Sequence, residues 1–136
     1  MGSQVPCRVL LIDDDELIRD VFTMMLSRRF EVECAATGGE ALDLLGSGGP
    51  YAVIVCDMQL PDMDGQAIYE AQAEAGRQDI QERMVFCTGG SAEPRVSEFL
   101  GAIGDERVIY KPCRADELFE VIDRMLGTGS GGGPTS

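Results

Sequence analysis

The sequence predicts an α/β chain of the doubly wound kind, with a five-stranded parallel sheet and helices on both faces. Five short segments rich in apolar and β-branched residues recur along the 136 residues, helical spacing fills the gaps between them, and turn-forming residues punctuate the joints. Strands that alternate with crossover helices run parallel, and a parallel sheet is covered on both sides.

The first strand is read from CRVLLID (7–13), whose uninterrupted VLLI suits burial on both faces. Ile18, Val21, Phe22 and Met25 follow at helical spacing and predict one apolar helix face. FEVECA (30–35) alternates more, as an edge strand does, and GGEALDLLG is a short helix. GSGGPY (46–51) is turn chemistry before the third strand, AVIVCD (52–57), and QLPDMDG (59–65) is a turn-rich loop after it. The Ala-rich QAIYEAQAEAG reads as a helix before the fourth strand, RMVFCT (83–88). SEFLGAIG is a brief helix interrupted by glycine, and RVIYK (107–111) is the fifth strand. Leu118, Val121, Ile122 and Met125 form the apolar face of the last helix. The expected organisation is a leader at 1–6, one domain at 7–126, and a flexible Gly/Ser-rich tail, GTGSGGGPTS, at 127–136. No effector domain is expected after residue 126.

Composition narrows the function. Eleven basic against twenty-four acidic residues give a net charge of -13, which opposes contact with nucleic acid phosphates or anionic lipid. No apolar run reaches the roughly 20 residues of a membrane span and MGSQVPCR lacks a signal-peptide core, so a soluble, cytoplasmic protein without membrane insertion is expected. Cys7, Cys34, Cys56, Cys87 and Cys113 are odd in number, show no CxxC spacing, and read as reduced packing residues. Histidine is absent, which excludes Ser/His triads and His-zinc sites and places any phosphohistidine outside this chain.

Ligands of open parallel sheets bind at the carboxyl ends of the strands. Here the first strand ends in Asp13 and Asp14, the third in Asp57, the fourth in Thr88 and the fifth in Lys111. Three crowded carboxylates repel one another unless a hard cation joins them, and Mg²⁺ suits oxygen ligands while keeping several waters. With a metal and Lys111 supplying positive charge, Asp57 can attack a phosphoryl group in line, and Thr88 can hydrogen-bond a phosphoryl oxygen. Asp15 is read as an ordinary helix cap. Capping alone does not explain the lysine among the other residues.

In VLLIDDDE, VIVCDMQLPDMDG, MVFCTGGS and VIYKP, in that order, the sequence resembles the receiver domains of two-component response regulators over roughly residues 7–126. The resemblance implies a flavodoxin-like strand order, 2-1-3-4-5. It implies Asp57 as phospho-acceptor, Asp13 and Asp14 as the acidic metal pair, and the Gln59 backbone carbonyl as a further ligand of Mg²⁺. Thr88 becomes the switch hydroxyl, Lys111 the phosphate-binding cation, and Gly89 a small residue that keeps the site accessible, with simple turn chemistry the alternative reading of that glycine. The Lys111–Pro112 bond is expected to be cis. The implied partners are a histidine kinase or histidine phosphotransfer protein as donor, and a downstream protein on the face of the fourth helix, fifth strand and fifth helix. No enzymatic activity is expected of the isolated domain beyond its own phosphorylation and slow dephosphorylation.

The sequence departs from the family at Val108, where many receivers place Tyr or Phe three residues before the lysine. Tyr110 is expected on the face opposite to Ile109 and Lys111 and does not replace that ring. A weaker or different conformational response is the consequence. MVFCTGGS and RVIYKPCRADEL resemble receivers attached to hybrid sensor kinases, with a stand-alone regulator the competing arrangement. Two other functions compete. DMDG (62–65) superficially matches the DxDG motif of haloacid-dehalogenase phosphatases, but Asp62 follows Pro61 in a loop and the strand ends in Asp57. An unphosphorylated scaffold would fail to take phosphate from any donor.

Overall fold

A computed structural model describes residues 7–89 and 93–127. Five strands, β1 (Arg8–Ile12), β2 (Glu31–Ala35), β3 (Val53–Asp57), β4 (Met84–Thr88) and β5 (Val108–Tyr110), form one parallel sheet in the order β2-β1-β3-β4-β5. The predicted fold class and strand order are both found. The expected leader at 1–6 and all of the expected tail but Gly127 lie outside the described residues.

Alternation along the central strands divides the interior in two. Leu10, Ile12, Ile54, Cys56, Met84 and Phe86 face one layer, built by α2 (Gly38–Ser47), α3 (Gly65–Glu74) and α5 (Pro94–Ile103). Val9, Leu11, Val53, Val55, Val85 and Cys87 face the other, built by α1 (Glu16–Leu26) and α6 (Ala115–Leu126). Each strand side chain turned to a helix layer leaves water completely or nearly so, contributing about 1.5–3 kcal/mol per large aliphatic residue. β2, at the edge, is only partly buried along Val32 and Glu33.

Three elements differ from the sequence reading. α4 (Gln78–Gln81) adds one unforeseen turn between α3 and β4; its single buried apolar residue, Ile80, leaves no period to detect. A 3-10 turn over Asp105–Arg107 likewise precedes β5. α5 begins earlier than SEFLGAIG, at Pro94, whose missing N–H suits the first helical turn, and it continues through Gly101. In α1 the buried face is Phe22 and Leu26, with Ile18 and Met25 half-buried, while the expected core residue Val21 is 40% exposed. On α6, Leu118, Val121 and Ile122 are buried as expected, with Met125 half-buried.

Among the described residues no helix is long and apolar enough to cross a membrane. Five free thiols are present, but Cys7 and Cys34 are exposed rather than packed. Cys34 lies on the edge strand, where its Sγ meets Thr23 Oγ1 at 3.2 Å.

Candidate functional site

Parallel strands in register bring their last residues to one edge, and the loops that follow hold the polar groups there. Asp13 leaves β1 still bonded to the sheet, its N–H donating to the Ala35 carbonyl at 3.1 Å. Its Oδ1 accepts the Asp15 N–H at 2.9 Å and its carbonyl accepts from Arg19 Nη1 at 2.9 Å, so side chain and backbone are both fixed. Asp15 caps α1 through the Leu17 and Ile18 N–H groups, as expected. Asp14 between them is exposed.

Asp57, the last residue of β3, is buried. Its Oδ1 accepts the Gln59 N–H at 3.0 Å and its Oδ2 accepts from Lys111 Nζ at 2.9 Å. The same ammonium stands 3.8 Å from Asp13 Oδ2. Asp13, Asp14 and Asp57 each offer a carboxylate oxygen within 4.8 Å of the other two. The predicted acids and lysine therefore meet in one place. Burial first, and then the charges of Asp57 and Asp14, push the Asp13 carboxyl above its ordinary value, against the Asp15 N–H and Lys111. Burial disfavours the Lys111 ammonium, but its bond to Asp57 and the charges of Asp57 and Asp13 outweigh this and raise it above the usual lysine value.

Thr88 ends β4 and is buried, and its carbonyl accepts the Lys111 N–H at 2.8 Å. This bond continues the β4–β5 ladder to the residue that carries the ammonium. The peptide between Lys111 and Pro112 is cis, as expected, and a second cis bond, unforeseen, joins Gly49 and Pro50. Gly89 is exposed, and a Cβ there would meet nothing within 4 Å. Val108 is buried opposite Phe86, whereas Tyr110 is 56% exposed beside Thr88.

The loop after Asp57 shapes the mouth. Gln59 and Asp64 form an antiparallel bridge made by their neighbours, with the Gly65 N–H on the Met58 carbonyl at 3.0 Å and the Leu60 N–H on the Met63 carbonyl at 3.2 Å. That pattern does not consume the Gln59 carbonyl. Asp64 caps α3 at the Ala67 N–H and pairs with Arg95 on α5. Gly65 fits where a side chain would not: an added Cβ would lie 3.0 Å from Met58 Sδ and 3.2 Å from the Asp57 carbonyl. The sequence raised Asp62 only as the first acid of a phosphatase-like motif; its carboxylate instead receives the Gly38 and Gly39 N–H groups at 2.8 and 2.9 Å and ties this loop to the start of α2. Neither that motif nor an acid within a turn announces the cap on α2.

A cleft of about 360 Å³ opens among Asp13, Asp14, Asp57, Gln59, Gly89 and Lys111. An all-oxygen donor set of this charge, in a cleft that Gln59 also lines, fits a hard divalent cation such as Mg²⁺. A second cavity of about 370 Å³ lies beneath, between α1 and the sheet, bordered by Phe22, Val55, Cys87, Pro112 and Cys113. There the Cys87 and Cys113 thiols meet, and their hydrogen bond holds the Cys113 thiol below its ordinary value and, together with burial, pushes the Cys87 thiol well above it.

The family model of the response regulator receiver domain matches residues 9–123. A chemotaxis protein CheY homolog of Campylobacter jejuni is 34% identical over 129 residues, covering 93% of this chain and 97% of its own. The two-component response regulator ORR11 of Oryza sativa is 29% identical, with 93% and 85% covered. Among solved structures, a CheY-like receiver domain protein from Methanospirillum hungatei aligns with a TM-score of 0.78 at 31% identity, covering 90% of this chain and 95% of that one. The chemotaxis response regulator CheY4 of Vibrio cholerae aligns at 0.75 with 26% identity, covering 90% and 100%.

Proposed function

Because the chain belongs to the response regulator receiver family of two-component signalling, we propose that Asp57 accepts a phosphoryl group from a phosphohistidine donor, with Mg²⁺ as cofactor. The observation that carries this reading is the gathering of Asp13, Asp14 and Asp57 within 4.8 Å of one another, with Lys111 Nζ 2.9 Å from the acceptor carboxylate. One Asp57 oxygen attacks phosphorus as the bond to the imidazole nitrogen breaks, and the donor ring, protonated on its other nitrogen, keeps the electron pair and leaves as neutral histidine. Lys111 exchanges its bond to Asp57 for one to a phosphoryl oxygen. The Thr88 side chain, at the end of the neighbouring strand, donates to another. Asp13, Asp14, Asp57 and the Gln59 carbonyl would hold the Mg²⁺, which when bound neutralises charge on the phosphoryl oxygens.

The donor is a histidine kinase or histidine phosphotransfer protein, and it has to stand over the cleft. Helix α1 starts at that rim and turns an apolar stripe outward, with Leu17 69%, Val21 40% and Met24 68% exposed. Their i, i+4, i+7 spacing suits docking against a donor helix. The downstream partner is proposed on α5, β5 and α6, where Tyr110 lies exposed. A hybrid sensor kinase as parent rests on MVFCTGGS and RVIYKPCRADEL, and the full-length gene decides it. The 1–6 leader and 127–136 tail flank the receiver in the same reading, and the cytoplasm is its compartment.

The test is incubation with acetyl phosphate. The intact protein should gain the mass of one phosphoryl group in Mg²⁺, none in excess chelator, and none as Asp57→Asn. Uptake that survives Asp57→Asn would refute the assignment. With Val108 in place of an aromatic, the response at β5 should be weak, and large amide shift changes across 89–110 on adding a phosphate mimic would contradict this.

A further inference from the structure

Cys87 and Cys113 have no part in the phosphoryl chemistry, yet they sit directly under it. Cys87 is the penultimate residue of β4, 4% exposed, and precedes Thr88. Cys113 is half-buried in the turn after Lys111 and Pro112. Cys87 pairs in register with Ile109 of β5, Cys113 lies four residues further on in the turn after that strand, and both side chains line one cavity. Both are free, bonded to each other, and border the same 370 Å³ cavity, which gives a small oxidant room to approach.

We propose that Cys87 and Cys113 are a redox-responsive pair that a peroxide oxidises to an intramolecular disulfide, and that this bond slows phosphoryl acceptance. The second half rests on the reading of Asp57 given above. The Cys113 thiolate, the more accessible of the two, attacks one peroxide oxygen. The O–O bond breaks, hydroxide leaves, and Cys113 becomes a sulfenic acid. The Cys87 sulfur then attacks the Cys113 sulfur, the S–O bond breaks, and the Cys87 proton leaves with hydroxide as water. Two thiols lose two electrons in all, and one peroxide becomes two waters. The Cys87 thiol donates to Cys113, which favours the thiolate at the attacking residue. In a reducing compartment such a bond is transient and regulatory.

The mechanical consequence follows from position. Closing hydrogen-bonded sulfurs to about 2.05 Å draws Cys113 toward β4. Lys111 is two residues from one sulfur and Thr88 one residue from the other, so the two groups that receive the phosphoryl oxygens lose their freedom to adjust. Displacements of about 1 Å at such groups cost up to roughly a hundredfold in rate, and a tenfold slowing is expected here.

The full chain, first reduced, is titrated with hydrogen peroxide, alkylated and mapped without reductant. The expected product has lost two hydrogens, carries a Cys87–Cys113 linked peptide, reverts with dithiothreitol, and is not formed by Cys113→Ser or Cys87→Ala. Sulfinic acid, or dimers through the exposed Cys7 or Cys34, with no 87–113 peptide would overturn the pairing. Uptake from acetyl phosphate in Mg²⁺ should be roughly tenfold slower for the linked form, recover on reduction, and be unaffected by peroxide in Cys113→Ser. A linked form that takes up phosphate within about twofold of the reduced rate overturns the coupling. No uptake by the reduced protein counts against the Asp57 reading and removes the coupling with it, while the peptide map still judges the pair alone.

Discussion

Replacing Asp13 by Asn should make the metal-free protein more stable. Asp13 faces two carboxylates within 4.8 Å, and at an effective dielectric of about 20 each pair at that separation repels by at least about 3.5 kcal/mol. Lys111, 3.8 Å away, returns about 4.4 kcal/mol of attraction. Asp14 is exposed, so solvent screens much of its share. Asn keeps the oxygen that accepts the Asp15 N–H, so the cap geometry survives the change. A net gain of about 1–2 kcal/mol is left, or roughly 3–8 °C in Tm at this chain length. The sign with pH follows from the raised Asp13 carboxyl. A carboxyl with a raised folded pKa contributes most below its unfolded value of 3.8, and that contribution is lost as pH rises through the folded value. The advantage of Asp13→Asn should therefore be largest at neutral pH and vanish in acid. Urea unfolding followed by circular dichroism, in chelator and in Mg²⁺, reads both. Saturating Mg²⁺ should stabilise the wild type more than the variant, since binding to the folded state adds RT ln(1 + [L]/Kd). A variant less stable than wild type in chelator at neutral pH would refute the electrostatic account of this site.

Three further outcomes test the surroundings. Gly38→Ala puts a Cβ 2.2 Å from Met63 Cγ and should lower the urea-derived stability by about 1–3 kcal/mol. Asp62→Asn weakens the bonds that hold the Asp62 carboxyl below its usual range, chiefly those from the Gly38 and Gly39 N–H groups. It should destabilise at neutral pH, with the difference from wild type shrinking as pH falls through the lowered Asp62 value, as a pH series of melts would show. Leu17→Gln with Met24→Gln should slow transfer from a phosphorylated donor by roughly tenfold while leaving uptake from acetyl phosphate unchanged, because truncating an exposed apolar contact removes partner binding and little else.

The strands were legible because four of them are buried on at least one complete face, and unbroken apolar runs have few other uses in a chain of this size. The acids and the lysine were legible for a related reason: parallel register carries strand ends to one edge, so order along the chain became proximity in space. What escaped was set by contacts between segments far apart in sequence. Val21 fits the helical period of α1 as well as Leu26 does. Only the packing of α1 against β1, β2 and α6 decides that Leu26 turns inward and Val21 faces water. α4 and the 3-10 turn before β5 are too short to leave a period. Cys87 and Cys113 read as separate packing residues because nothing in their spacing of 26 positions announces that β4 and the turn after β5 bring two thiols together.

The segment PDMDG shows how one short stretch can mislead about chemistry while specifying structure. Its resemblance to a phosphatase motif requires Asp62 at a strand end, but the strand ends five residues earlier, at Asp57. In the fold Asp62 holds the first N–H groups of α2, Asp64 holds the Ala67 N–H of α3 and reaches Arg95 on α5, and Gly65 lets α3 start against the Asp57 carbonyl. Three crossover helices are thereby referenced to the loop whose Gln59 N–H donates to Asp57. On the reading proposed for Asp57, the acids of this loop position that residue from outside the reacting groups. Substituting either Asp62 or Asp64 should then slow phosphoryl uptake through the position of Asp57, an effect that rising Mg²⁺ relieves only in part. Loss of uptake restored fully by Mg²⁺ would instead place these acids among the metal ligands.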